Sequence, residues 1–137
     1  MGADRKAAVR AILEKEGTSP EFTAAADILR AMVILYGAGW ESDVLDVLSG
    51  VWSLKNLSLE SIADLRKRLP GAVKILEESR LVTVETRLRP YLEEAKPVEE
   101  RFYSALDLPT LLRALVSDRY IDRYRFEVSG WTRPPKQ

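Results

Sequence analysis

The stretch "LPGAVKILEESRLVTVETRL" occupies positions 69–88 of the 137-residue chain, and its hydrophobic period changes halfway. Through Arg80 the apolar residues Leu69, Val73 and Leu76 recur at helical spacing. From Leu81 onward Val82, Val84, Thr86 and Leu88 alternate with Thr83, Glu85 and Arg87. Helical steps lay side chains along one stripe, whereas alternation lays them on one face of a strand. The stretch therefore predicts a helix passing directly into a strand, its apolar set facing a core and its polar set facing water or a ligand. The expected class is mainly α with a small antiparallel β element.

Upstream, "LSLESIADLRKRLP" reads as a helix with Ser58 as N-cap and Leu59, Ile62 and Ala63 turned inward. Pro70 and Gly71 restart the chain into the next helix. Before it, "WESDVLDVLSGVWSL" buries Val44, Leu45, Leu48, Val51 and Trp52 and turns Asp43 and Asp46 outward, with Gly37 and Gly39 read as a hinge. "TSPEF" starts an earlier helix with Ser19 as N-cap and Pro20 at the first position. Its stripe is Phe22, Ala25, Ala26, Leu29, Val33 and Tyr36, but Ile28, Met32, Ile34 and Leu35 add apolar surface on other sides. A helix apolar all round belongs in a core or a dimer interface. Ile28, Met32, Leu35, Tyr36 and Trp40 are the candidate interface residues. The first helix, "ADRKAAVRAILEKEG", carries Ala8 and Ile12 on one stripe and ends at Gly17 as its C′ residue.

Downstream, "RPYLEEAKPVEE" is an acidic connector bounded by Pro90 and Pro97. A helix is expected over 98–106, then "DLPTLLRALVSD" as a helix capped by Asp107 with Leu108, Leu111, Leu112 and Leu115 on one face. "RYIDRYRFEVSGW" reads as a half-buried edge strand, with Tyr120, Tyr124, Phe126 and Val128 opposed to Ile121, Arg123, Arg125 and Glu127. "TRPPKQ" is expected to fray. The whole, 1–137, is one domain: N-terminal helices over 1–56, a core over 57–89 and a second helix-to-strand unit over 98–131. "LPGAVKILEESRLV" and "LPTLLRALVSDRYI" align without gaps, but the alternation beyond them slips by one residue, so they are two similar corners rather than a duplication.

On these residues, "LSLESIADLRKRLPGAVKILEESRLVTVETRL" resembles the core of a winged helix-turn-helix domain. "LESIADLR" corresponds to helix two, "KRLP" to the turn, "GAVKILEES" to the recognition helix and "RLVTVETRL" to the wing strand. The resemblance covers about half the chain together with the second corner, and the recognition helix is about one turn shorter than the family's. It implies a winged-helix-like helical domain that binds nucleic acid or serves transcription, as a homodimer. The implied phosphate contacts are Arg66, Lys67 and Arg68 at the turn, Lys74 on the helix, and Arg87 and Arg89 on the wing. Glu77 and Glu78 share the outward side of that helix, and no Asn or Gln stands there to read adenine. From Ser58 to Arg89, seven basic residues oppose five acidic ones, a net of +2. Arg119, Arg123 and Arg125, interleaved with Tyr120, Tyr124 and Phe126, are a candidate second patch that could hold single-stranded nucleic acid.

Composition narrows the functions. Lys+Arg and Asp+Glu balance at 21 each, so any basic surface must be local. Cysteine and histidine are absent, which removes disulfides, thiolate nucleophiles, Cys/His zinc sites and imidazole bases. Asn and Gln occur once each against 31% charged residues, the composition of a thermophile protein. No nucleophile elbow or phosphate loop is present; "YGAGWES" has Gly-x-Gly spacing but follows a helix. Asp43 with Asp46, and the pairs Glu93/Glu94 and Glu99/Glu100, read as solvated charge rather than a carboxylate metal site. An enzyme is not expected, nor a metal, a cofactor or a small-molecule ligand. The longest uncharged run, 31–40, is too short to span a bilayer and no signal-like segment opens the chain, so the cytoplasm is the expected compartment.

Two functions compete. The first is a nucleic-acid-binding or transcription-associated module. The second is a small helical adaptor that packs on a protein partner in a multi-protein or nucleoprotein complex without base readout of its own. Small subunits of CRISPR effector complexes belong to that second class, though no residue here singles them out.

Overall fold

Ser19 opens a helix as its chemistry demands: its hydroxyl accepts the Phe22 N–H at 3.2 Å, and Pro20 takes the first helical position. In the computed structural model, which describes residues 2–90 and 96–128, this helix is α2 (Pro20–Ile34), preceded by α1 (Gly2–Lys15). Every residue from Ala24 to Val33 is buried, Asp27 and Arg30 included. A helix apolar on all sides has to be covered on all sides, and α2 is the axle of the molecule. Around it pack α1, α3 (Glu41–Leu54), α4 (Leu59–Lys67), α5 (Leu69–Glu78), α6 (Leu108–Ala114) and α7 (Arg119–Arg123). Ile28 and Met32 are wholly enclosed, so they form core and not a surface for a partner. Leu35 is half-buried, and of that candidate set Tyr36 alone stands well out, at 76% exposure.

Three helices end in the same way. After α2, α3 and α5 the chain passes through one left-handed residue, Tyr36 (φ 57°), Asn56 (φ 57°) and Arg80 (φ 56°) respectively. The next N–H reaches back across the turn each time: Gly37 to Met32, Leu57 to Trp52 and Leu81 to Leu76, at 2.7, 3.3 and 2.9 Å. This is the Schellman closure, which satisfies carbonyls a helix end leaves open. At Arg80 it lets α5 turn straight into β2 (Val82–Arg89), and Leu81 drops fully buried behind Leu76.

The sheet has three strands in the order β1-β3-β2, with β1 at Ala38–Trp40 and β3 at Val98–Ala105. β2 and β3 pair antiparallel from Val82↔Ala105 to Arg89↔Val98, and β1 joins the other side of β3 through Gly39↔Tyr103. Gly39 is needed there because a Cβ would come within 2.8 Å of Leu35 Cδ1. The apolar face of β2 is buried at Val82, half-buried at Val84 and open at Leu88, which is 64% exposed. The hairpin thus leaves the core as it rises.

Four expectations change. The segment expected as a helix over 98–106 is β3: Val98, Phe102 and Leu106 suit a helical stripe, but the partnerless edge of β2 claims the segment as its hairpin mate. Gly37 precedes strand β1 and Gly39 lies within it, so the pair is not merely a hinge. The segment expected as an edge strand is α7 followed by a π-helical turn at Tyr124–Val128; Asp118 caps it, accepting the Tyr120 and Ile121 N–H groups at 3.0 Å each. The second unit is therefore strand-to-helix. In α4, Leu59 points outward at 85% exposure and Leu65 is the buried residue, while Leu57 before the cap and Ile62 pack on the core as a hydrophobic staple. Residues 129–131 and the tail "TRPPKQ" lie outside the described residues, as do residues 91–95 of the acidic connector.

Candidate functional site

The α4–α5 corner is built by two caps. Ser58 Oγ accepts the Ser61 N–H at 3.1 Å to start α4, and Arg68 both closes α4 and precedes α5, with Pro70 in the first turn. The corner leaves Arg66, Lys67, Arg68 and Lys74 exposed. They do not converge. Arg66 leans on α3, donating to Ser49 Oγ at 3.1 Å. Arg68 lies 3.5 Å from Asp64 and 3.8 Å from Glu21 at the start of α2. Lys74 reaches Glu78 along its own helix at 4.0 Å. Lys67 has no ion-pair partner among the described residues.

The wing cations are held more firmly. Arg87 donates to Glu85 at 3.0 and 3.1 Å and lies 4.3 Å over the Phe102 ring. Arg89 donates to Glu100 at 3.1 Å and to Ser42 Oγ at 2.9 Å, and covers Trp40 at 5.1 Å. Trp40 and Phe102 meet edge to face, 5.0 Å apart at 80°. The β2–β3–β1 register explains the group: Glu85 pairs with Phe102, and Phe102 with Trp40, all on the face opposite the buried Val82 and Tyr103. Each cation–ring contact is worth about 0.5–1 kcal/mol at such a surface. Trp40, expected at an interface, works here inside the sheet's outer face.

Of the second patch, Arg119 is exposed and donates to its neighbour Tyr120 Oη at 2.9 Å, and Arg123 pairs with Glu127 at 3.1 Å. Arg125 lies over Tyr36. Helical geometry scatters these arginines, so they do not line a strand-like platform.

A second charged group was not anticipated. Asp27, at zero exposure, accepts from Arg30 Nη1 at 2.7 Å, Lys55 Nζ at 2.8 Å and Trp52 Nε1 at 2.9 Å. Arg30 also grips Glu16 with both Nη atoms and donates from Nε to Asp118 at 2.8 Å. Tyr120 lies 5.1 Å from both cations. The cluster ties α1, α2, α3 and α7 together and borders a cleft of about 670 Å³ shared with Leu13, Thr23 and Leu57. Burial disfavours the charged Glu16, but hydrogen bonds from Arg30 and Lys55 outweigh it and hold its pKa below the ordinary carboxylate value. Burial likewise opposes the Arg30 charge, and its three carboxylates more than compensate. Among the described residues no buried side-chain N or O lacks a partner. Its chemistry is that of a lock. The signal in the sequence was Asp27 and Arg30, a carboxylate and a guanidinium one turn apart in an otherwise apolar helix.

Tyr103 Oη donates to Glu41 at 3.2 Å on the helix-facing side of the sheet; burial and then that carboxylate raise the phenol's pKa. Among the described residues no three carboxylates gather as metal ligands; Asp43 instead approaches Arg89 at 4.0 Å, and Asp46 is exposed. Among the same residues no helix is long and apolar enough to cross a membrane. No protein family, curated protein or solved structure matches this chain.

Proposed function

We propose that the chain is a cytoplasmic, non-enzymatic, winged-helix-like docking module: a small adaptor that seats on a protein partner in a multi-protein or nucleoprotein complex and reads no bases itself. The order of α4, α5 and the β2–β3 hairpin, with β1 as third strand, supports the winged-helix reading. One observation carries the functional choice. Of the six cations that the corner and wing could offer to phosphates, four are already held by carboxylates of the same chain. A phosphate would have to displace those partners. The α5 surface adds Glu77 and Glu78, both exposed, which repel a polyanion. Docking on protein suits a surface of balanced charge with single apolar anchors, such as Leu59 beside the corner.

Arg66 and Lys67 support a second reading. Both are exposed and, among the described residues, without an ion pair, and they could hold one stretch of phosphate backbone while a partner supplies specificity. Fluorescence anisotropy with labelled duplex DNA at low salt tests the choice. The docking reading expects weak binding, with little change in the variant Arg66→Ala/Lys67→Ala/Arg68→Ala. Submicromolar binding abolished by that variant would replace it with a nucleic-acid reader.

A further inference from the structure

β2 is the longer of the sheet's two outer strands, and among the described residues no strand pairs with its outer edge. Val82 to Arg89 contains no proline and no lysine, the residues that usually blunt such an edge, and Glu85, Thr86, Arg87 and Leu88 are all exposed. Its side chains are also self-complementary when the strand is read against itself in reverse. We propose that β2 is a homodimer interface, in which two copies pair antiparallel about a two-fold axis at Thr86 and join their sheets.

The charges select that register. With Thr86 opposite Thr86, Glu85 faces Arg87 of the second copy, twice by symmetry, on the side that carries Phe102 and Trp40. On the other side Leu88 faces Val84 of the second copy, which covers an apolar side chain now 64% exposed. A two-residue slip centres the axis on Glu85 or Arg87 and sets like charges directly opposite, which is unfavourable. A one-residue slip sets Leu88 against Glu85 and spoils both faces. Arg87 already bonds Glu85 within its own strand, so in the pair each carboxylate gains a second guanidinium. An isologous contact of this kind closes after two copies and leaves no β2 edge for a third. The inference stands apart from the docking reading: it concerns the strand edge, and neither the α4–α5 corner nor any partner enters it.

Sedimentation equilibrium of the native chain and three variants tests it. The native chain should be dimeric. Glu85→Arg should weaken the dimer by about tenfold or more, since two opposite-charge pairs become like-charge pairs. Glu85→Arg/Arg87→Glu should recover it, because the reversed pattern is again self-complementary. Thr86→Cys, the sole cysteine in the chain, should form a disulfide-linked dimer on mild oxidation, because directly opposed residues lie about 4.5–5.5 Å apart between Cα atoms. A native chain that stays monomeric, a dimer indifferent to Glu85→Arg, or a Thr86→Cys chain that does not cross-link would each overturn the proposal.

Discussion

Arg30 and Asp118 stand 88 positions apart, and the guanidinium Nε of one donates to the carboxylate of the other at 2.8 Å. The same carboxylate caps α7 through its other oxygen. Arg30 thus fastens α7 to the central helix α2 while gripping Glu16 and Asp27. Removing one member of a buried charged group leaves the rest uncompensated. Arg30→Ala should cost about 3–5 kcal/mol in urea unfolding. A loss below about 1 kcal/mol would show that the cluster behaves as exposed ion pairs do.

The lock also sets an acid limit. Glu16 has a folded pKa below its ordinary value of 4.5, so the unfolded chain binds a proton more readily than the folded one. Its contribution is complete above 4.5 and fades as pH falls below that value through the folded pKa. Unfolding free energies measured from about pH 7 to about pH 3 should drop in that window, and the drop should shrink in Glu16→Gln. An identical acid profile in the variant would remove Glu16 as its source.

Tyr103 sets the opposite limit. Its raised pKa means that folding favours the neutral phenol, so its contribution is present below the ordinary value of 10.0 and is lost as pH rises beyond it. Tyr103→Phe should lose less stability than the native chain between about pH 9 and pH 11. Equal alkaline losses would place the phenol in solvent.

Arg80 holds a left-handed conformation at the helix-to-strand corner with its side chain exposed. A side chain there is strained by about 1 kcal/mol, a cost glycine avoids. Arg80→Gly should therefore raise the midpoint of thermal unfolding slightly. A fall would mean that the corner is not closed as described.

The phase of α4 can be read by a pair of substitutions. Leu65→Ala should cost about 2–5 kcal/mol and Leu59→Ser about 0.5 kcal/mol or less. The reverse order would restore the inward Leu59 that the sequence suggests.

Local signals decided which parts of the fold were legible. The α5–β2 corner was readable because its period changes within one stretch, and Ser19, Ser58 and Asp107 were readable as caps because capping needs only a short side-chain acceptor. β3 was not, since the spacing of Val98, Phe102 and Leu106 fits a helix and its strand state depends on β2. The segment from Arg119 was not legible either, because Tyr120 and Tyr124 share a face at either period. At the candidate site every cation was visible in the sequence. What was hidden was its neutralisation: Glu21 meets Arg68, and Glu100 and Asp43 meet Arg89, only after folding. The central lock was hidden for the same reason, its members being spread from Glu16 to Asp118.

The salt dependence of DNA binding tests the central claim, that this helix corner is electrically closed to a polyanion. Each phosphate contact contributes about −0.9 to the slope of log K against log salt. Of the six implied phosphate contacts, Arg66 and Lys67 are the two without an ion pair among the described residues, so the slope between about 50 and 200 mM salt should be no steeper than about −2. A slope of about −5 or steeper, from affinity that survives to the higher salt, would mean that the paired arginines let go of their carboxylates and bind nucleic acid.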